Sequence, residues 1–470
     1  MTITLNPQAF REYDIRGYVE KDLSNEFAFA LGQAFGSLVV DTQTKGAVAV
    51  GYDARISSPG YAENLSNGIA SFGVDVVQVG MGPTPHLYFA IFQEGLAQAG
   101  GIQVTGSHNP PDMNGFKLCL GTQTLSGPAI QDLLKRAQDI LAGTRVSNAT
   151  TAGKIYKKEL MQEYIDFIIE NSRSHFGERK LKIVCDAGNG VGGMAGPQVL
   201  RGLGCEVIEL YCEPDGNFPN HHPDPTVPDN IKVLIETVKK TGADFGIGWD
   251  GDADRIGVVD EKGQILYGDM LLLMYAKDIL RQEPGATFIG DVKCSQRVFD
   301  GIAKAGGNPI MWKTGHSLVK NKLKETGAAL AGEMSGHIFF KHRYFGFDDA
   351  IYSSARFAEL VSKSDMQVSE MLRDLPEAVS TPELRVDCPE ELKFKVPEMA
   401  KQAFSKYKVD TTDGVRINFG NGWGLIRASN TQPVLVLRFE AKTQAELDSY
   451  QAEVVSWLES VAGKVSFATH

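Results

Sequence analysis

The sequence predicts an α/β protein built from three related α/β domains, followed by a smaller α+β domain. Two observations carry that reading. A strand–Asp–loop–helix–Gly–strand unit recurs three times along the 470 residues, and its pattern gives way near the C-terminus to strands separated by turns. In the first copy the apolar run Ala47–Gly51 leads to Asp53, a helical stretch Ala62–Ser71, Gly73 and a strand Val74–Val79. In the second, Leu181–Cys185 leads to Asp186, Gly204 and Cys205–Tyr211. In the third, Thr287–Gly290 leads to Asp291, the Gly306–Gly307 pair and Asn308–Trp312. About 15 to 20 residues separate each Asp from its Gly, room for one crossover helix between parallel strands. Alternating strands and helices imply α/β layers, and a unit repeated along the chain implies related domains. One very large sheet is the alternative. In the tail, Val415–Phe419, Trp423–Ala428 and Val434–Ala441 read as strands, and Ala445–Val461 places Leu447, Tyr450, Val454, Leu458 and Val461 on one helical face. The expected domains are 1–152, 153–258, 259–372 and 373–470, the last joined through Asp365–Pro382.

Composition agrees with a globular chain: 43% of residues are hydrophobic and 22% charged. With 47 basic against 58 acidic residues the net charge is −11, which offers nucleic acid or an anionic membrane no broad cationic surface. A small anionic substrate in a local basic pocket stays open. No apolar stretch approaches the length of a membrane span, and the N-terminus lacks the pattern of a secretory signal. The six cysteines are scattered without a CxxC pair, as expected of thiols in a reducing cytoplasm.

Several loops carry chemistry. The strand Gly101–Val104 runs into Thr105-Gly106-Ser107-His108-Asn109-Pro110, which presents Ser107 on a turn with His108 beside it and Lys117 a few residues on. A serine becomes a nucleophile only when its proton is removed and the charge it receives is neutralised. His108 or Lys117 suits the first task and a cation the second. A polar turn with an incidental serine is the plain alternative.

The apolar run 244–249 ends in Asp250-Gly251-Asp252-Ala253-Asp254-Arg255. Three carboxylates at alternate positions repel one another unless a cation lies between them. Mg²⁺, a hard ion suited to oxygen ligands and phosphate, answers that repulsion. A calcium EF-hand would use Asp250, Asp252, Asp254 and Glu261, but Arg255 stands where its loop needs glycine and the flanks read as strands. Gly188-Asn189-Gly190-Val191-Gly192-Gly193 fits a dinucleotide-binding fingerprint with Glu213 downstream, yet Asp186 sits where a pyrophosphate would approach. The same segment is explained as the turn of the second repeat.

Gly332-Glu333-Met334-Ser335-Gly336-His337 mixes groups that suit sugar hydroxyls, and Lys313-Thr314-Gly315-His316-Ser317 ends a strand of the third repeat. Arg427-Ala428-Ser429-Asn430-Thr431 combines a guanidinium with hydroxyls and backbone donors, a combination that clamps phosphate.

Taken together and in this order, the four loops T-G-S-H-N-P, D-G-D-A-D-R, G-E-M-S-G-H and R-A-S-N-T resemble those of the α-D-phosphohexomutase superfamily, nearest to its bacterial phosphomannomutase/phosphoglucomutase group. The resemblance spans the chain from Phe10-Arg11-Glu12-Tyr13-Asp14-Ile15-Arg16-Gly17 onward. It implies four domains around a central cleft and reversible transfer of phosphate between C1 and C6 of glucose and mannose phosphates through a hexose 1,6-bisphosphate, which also serves as activator. It implies a phosphoserine at Ser107, with Mg²⁺ held by Ser107, Asp250, Asp252 and Asp254. Arg16, Lys117, Arg255, His316 and His337 match the reaction centre. Tyr13, Lys293, Glu333, Ser335, Arg427, Ser429, Asn430 and Thr431 match substrate-binding positions. A cytoplasmic monomer acting on small hexose phosphates is expected. Phosphoglucosamine mutase is the rival within the fold, although its sugar loop more often has Gln where Met334 stands. A dinucleotide-binding or calcium-binding protein is the rival outside it. Ala253 replaces a glycine common in the family, and its methyl fits unless the loop needs a positive φ.

Overall fold

The computed structural model describes residues 5–430, 433–463, 465 and 467. Among them the strands form four sheets, of seven, five, four and six strands. In the first sheet Val48–Tyr52 lies parallel to both Gly100–Val104 and Val76–Met81. Gly100–Val104 then pairs antiparallel with Met113–Leu120, which carries Ile15–Tyr18 on its far side. The strand Ile155–Lys157 extends this sheet parallel to Val76–Gln78, so the first sheet runs a few residues past position 152.

The second sheet repeats the plan. Lys182–Asp186 is parallel to Glu206–Leu210 and to Phe245–Trp249, and Ile256–Asp260 returns antiparallel. In the third, Thr287–Asp291 is parallel to Asn308–Trp312 and Leu330–Gly332, with Ile338–Phe340 antiparallel. Central strands such as Phe245–Trp249 are buried on both faces, as parallel strands covered by helices must be. The C-terminal sheet is antiparallel around Val434–Ala441 and Gly422–Ala428, and the helix Gln444–Ala462 covers it. A capping box fixes the start of that helix: Thr443 and Glu446 each accept from the other's backbone N–H.

The second and third sheets share one core. The helix Ala350–Ser362 follows the third sheet in sequence yet packs toward the second, where Trp249 donates to Ser354 (2.9 Å) and Phe357 meets Phe245 edge-on at 4.9 Å. Such continuous packing makes the ends of the sheets a fixed frame for the loops they project. No helix among the described residues is long and apolar enough to cross a membrane.

Candidate active site

The repeated aspartates sit at matching strand ends, and each ties down a loop. Asp53 accepts from Thr105 Oγ1 (2.8 Å), Ser58 Oγ (2.6 Å) and the Gly106 N–H (3.2 Å). Asp186 accepts from the Gly188 N–H and pairs with His221, both at 2.9 Å. Asp291 accepts from Thr314 Oγ1 (2.9 Å) and the Met334 N–H (3.2 Å). The repeat therefore supplies loop anchors rather than reacting groups.

The serine loop is the most heavily braced. Arg55 is fully buried, held by Asp53 at 3.1 Å, and its guanidinium donates to the carbonyls of Ser107 (2.9 Å), Asn109 (2.6 Å), Pro110 (2.5 Å) and Met113 (2.9 Å). One planar fork thus ties four carbonyls of the loop together. This bracing holds Ser107 at φ 51°, a left-handed conformation that costs a non-glycine residue about 1–2 kcal/mol. The turn aims Oγ at the second domain: it donates to Asp250 Oδ2 at 2.8 Å and lies 3.2 Å from His108 Nδ1.

Between the antiparallel strands Phe245–Trp249 and Ile256–Asp260, Asp250 Oδ1 accepts from the N–H groups of Asp254 and Arg255, both at 3.1 Å. Asp252 accepts from Lys117 (2.7 Å) and Thr84, and Lys117 also contacts Asp254. All three carboxylates are fully buried and their oxygens gather within 4.8 Å, a group able to hold a metal ion. Asp252 Oδ1 and Asp254 Oδ1 have no hydrogen-bond partner, which fits a divalent cation taking up oxygens the protein leaves open. The electrostatics agree. Burial and the charges of Asp252 and Asp254 push the Asp250 carboxyl well above its usual range. Burial also opposes ionisation of Asp252, but Lys117 outweighs it and holds that carboxyl low. Burial likewise disfavours the Lys117 ammonium, and the neighbouring aspartates overcome this and raise its pKa.

Ala253 lies in this loop at φ 55°, so the tolerance expected for its methyl does not hold without cost. The site carries two non-glycine residues in left-handed backbone, Ser107 and Ala253. The rival readings of these loops fail on geometry. Glu261 binds the Ser369 hydroxyl and N–H instead of turning toward the aspartates, so there is no twelfth-position calcium ligand. The glycine-rich turn leads into a short 3₁₀ segment and a helix of only seven residues, Gly196–Gly202. A Cβ at Gly190 would stand 2.7 Å from the Gly251 carbonyl, and the Val191 N–H donates to that same carbonyl. Those glycines back the aspartate loop.

Arg255 Nε lies 3.0 Å from His337 Nε2, and His337 Nδ1 lies 3.1 Å from Asp348 Oδ2. His316 stacks on His337 with ring centroids 5.8 Å apart, and burial drives its pKa well below the ordinary value. Glu333 accepts from the Gly315 N–H (2.7 Å) and from Ser335 Oγ (3.1 Å). Lys293 pairs with Glu383 at 3.0 Å. Arg16 pairs with Asp14 at 2.7 Å. Arg427 pairs with Asp413 (2.7 Å) and reaches the Tyr13 hydroxyl (3.3 Å), to which Asn430 also donates. The Ser429 N–H donates to the Val434 carbonyl, closing that hairpin. Thr431 lies outside the described residues.

The structure thus joins the serine loop, the aspartate loop and Lys117 directly, links Arg255 to His337 by a hydrogen bond, and links His337 to His316 through stacking and Asp348. The sequence reading missed Arg55, Thr84, Asp348, Glu383 and Asp413. Arg55 alone carried a signal, two residues beyond the repeat aspartate. The others come from distant segments and are visible only in three dimensions.

A buried serine against a carboxylate cluster, on three repeated α/β units closed by an antiparallel domain, defines a phosphohexomutase. The chain belongs to the phosphoglucomutase/phosphomannomutase family: models of its α/β/α domains I, II and III match residues 7–141, 162–263 and 267–379, and that of its C-terminal domain matches 383–456. It is similar to a phosphomannomutase/phosphoglucomutase of Pseudomonas putida, 47% identical across 93% of this chain and 92% of the relative. It is also similar to a phosphoglucomutase of Neisseria gonorrhoeae, 45% identical across 96% of each. A crystal structure of a family protein from Burkholderia thailandensis superposes with a TM-score of 0.90 at 42% identity, covering 99% of this chain and 100% of that one. The protein is an enzyme, a mutase of hexose phosphates.

Proposed function

We propose that this enzyme transfers phosphate reversibly between C1 and C6 of glucose and mannose phosphates, through a phosphoserine at Ser107 and a hexose 1,6-bisphosphate. The observation that carries this reading is the placement of Ser107 Oγ, 2.8 Å from Asp250 and beside carboxylate oxygens that lack partners. Ser107, Asp250, Asp252 and Asp254 would hold Mg²⁺, which when bound neutralises charge on the phosphoryl group.

The protein's own residues perform the rest. Arg55 and Asp53 fix the serine loop so that Oγ keeps its direction through both half-reactions. In the first, the P–O bond to Ser107 breaks and a P–O bond to the free sugar hydroxyl forms, with the hydroxyl proton leaving to a base. In the second, the bisphosphate presents its other end and returns a phosphoryl group to Ser107. Lys117, held protonated by Asp252 and Asp254, suits charge neutralisation rather than proton removal. Burial keeps His316 neutral beside His337, with ring nitrogens free to accept the hydroxyl proton once a substrate phosphate enters and favours the cation. Arg427 and Asn430 clamp the phosphate that does not react, and Glu333 and Ser335 meet the ring hydroxyls. Both sugars are supported by the double name of the Pseudomonas putida relative. Turnover of glucose 1-phosphate and mannose 1-phosphate, assayed side by side, tests the reading. Comparable kcat/KM for the two is expected, and turnover of only one would refute dual specificity.

A further inference from the structure

A second cavity, of about 660 Å³, opens between the first and third domains on residues that none of the chemistry above employs. One wall is aromatic. Phe92 lies 5.1 Å from Phe345 and 5.5 Å from Phe347, and Tyr88 lies 5.4 Å from Phe347, by ring centroids. Lys320, Lys324 and Lys341 also line it, and no carboxylate does. In a chain of net charge −11, Lys324 and Lys341 line this cavity without a counter-carboxylate and form a local anion-attracting field. Among the described residues neither Lys324 nor Lys341 forms an ion pair, whereas Lys320 is spoken for. Its ammonium lies 3.0 Å from Asp348 Oδ1, 3.2 Å from the Tyr88 hydroxyl and 4.3 Å above the Tyr88 ring.

Asp348 connects the cavity to the reaction centre, because its other oxygen lies 3.1 Å from His337 Nδ1 and 3.9 Å from His316 Nδ1. We propose that this cavity is a regulatory site for a small anion with an aromatic body, the ring lying on Phe92, Phe345 and Phe347 and the anionic group among the three lysines. An anion there competes with Asp348 for Lys320. Asp348, deprived of that partner, no longer holds the His337 and His316 rings in their present positions. The path from the cavity to the reaction centre is three residues long, Lys320–Asp348–His337.

The probe is anilinonaphthalene sulfonate, titrated by fluorescence into the full-length enzyme with and without saturating glucose 1-phosphate. One saturable equivalent is expected, not displaced by the sugar phosphate, with turnover falling as it binds. The double variant Lys324→Glu/Lys341→Glu, altered only at exposed positions, keeps its basal turnover, binds the probe about tenfold more weakly and is correspondingly less inhibited. Displacement of the probe by glucose 1-phosphate, equal binding by the variant, or unchanged turnover at saturation would each overturn the proposal. Because binding is read by fluorescence, the result stands apart from whether phosphoserine chemistry is correct.

Discussion

The chain holds the loop that presents Ser107 and the loop that carries Arg427 by different means. The serine loop is braced almost entirely from within the first domain. Asp53 and Arg55 sit at the end of a central strand, and between them they bind the Gly106 N–H and the carbonyls of Ser107, Asn109, Pro110 and Met113. The arginine loop is braced across domains: Arg427 and Asn430 meet Tyr13 from the N-terminal segment, Tyr13 donates to the Thr314 carbonyl (2.9 Å), and the Thr314 N–H donates to Asp413 (3.0 Å). The first arrangement keeps a nucleophile in one direction at a standing cost in backbone strain. The second makes the position of Arg427 depend on the C-terminal domain being seated against Tyr13 and Thr314. Asp413 meanwhile pairs with the guanidinium at 2.7 Å.

Breaking the braced loop should produce the largest effects. Ser107→Ala is expected to lower kcat/KM by about a thousandfold or more while the circular dichroism spectrum and melting temperature stay near those of the parent. Asp252→Asn should weaken divalent-ion binding at least about 100-fold, measured by calorimetry, and slow both half-reactions together. Arg55→Lys keeps the charge but loses the fork. It should cost about 2–4 kcal/mol of stability in urea unfolding and reduce kcat more than it raises KM, because the loop, not the substrate, loses its partner.

The cross-domain clamp should respond differently. Arg427→Ala is expected to weaken productive binding of glucose and mannose phosphates alike, by about 1.5–3 kcal/mol in kcat/KM, with Ser107 phosphorylation intact. A loss confined to one sugar would mean that this loop reads the ring and not the phosphate.

A smaller, pH-linked effect concerns the helix whose first residue, Thr84, bonds to Asp252. His86, near the start of the helix Thr84–Phe92, is buried against Tyr164, and burial lowers its pKa to about 4. The folded state therefore favours the neutral ring. Its stabilising contribution is complete above the unfolded pKa near 6.5 and is lost as pH falls toward 4, about 3 kcal/mol at most. His86→Gln should flatten the decline of urea-unfolding stability between those values, and an unaltered slope would assign the acid sensitivity elsewhere.

Much of this architecture was legible because periodicity is local. The three repeat units, the helix over 445–461 and the strand Asn308–Trp312 follow from apolar spacing and glycine placement, and the structure shifts most element ends by only a few residues. The aspartate loop stood out because three carboxylates at alternate positions have no ordinary use without a cation, whereas the serine loop alone also read as a polar turn and stood out only in the resemblance of the four loops together. The partners of those residues did not. Nothing in the local sequence ties Asp413 to Thr314, which meet only where the third and C-terminal sheets converge, or Asp348 to His337, which meet because the chain folds back beside the strand Ile338–Phe340. Backbone strain was equally hidden. Ala253 reads as a harmless replacement of glycine, and only its φ of 55° shows what the loop requires of it.

The account's central claim is that Ser107 carries the phosphoryl group between half-reactions. Intact-protein mass spectrometry with peptide mapping, after incubation with glucose 1,6-bisphosphate, tests it most directly. One covalent phosphate is predicted, on the peptide containing Ser107, discharged when hexose monophosphate is added and absent from Ser107→Ala. An enzyme that turns over fully with Ser107 unmodified, or with the phosphate on another residue, would contradict it.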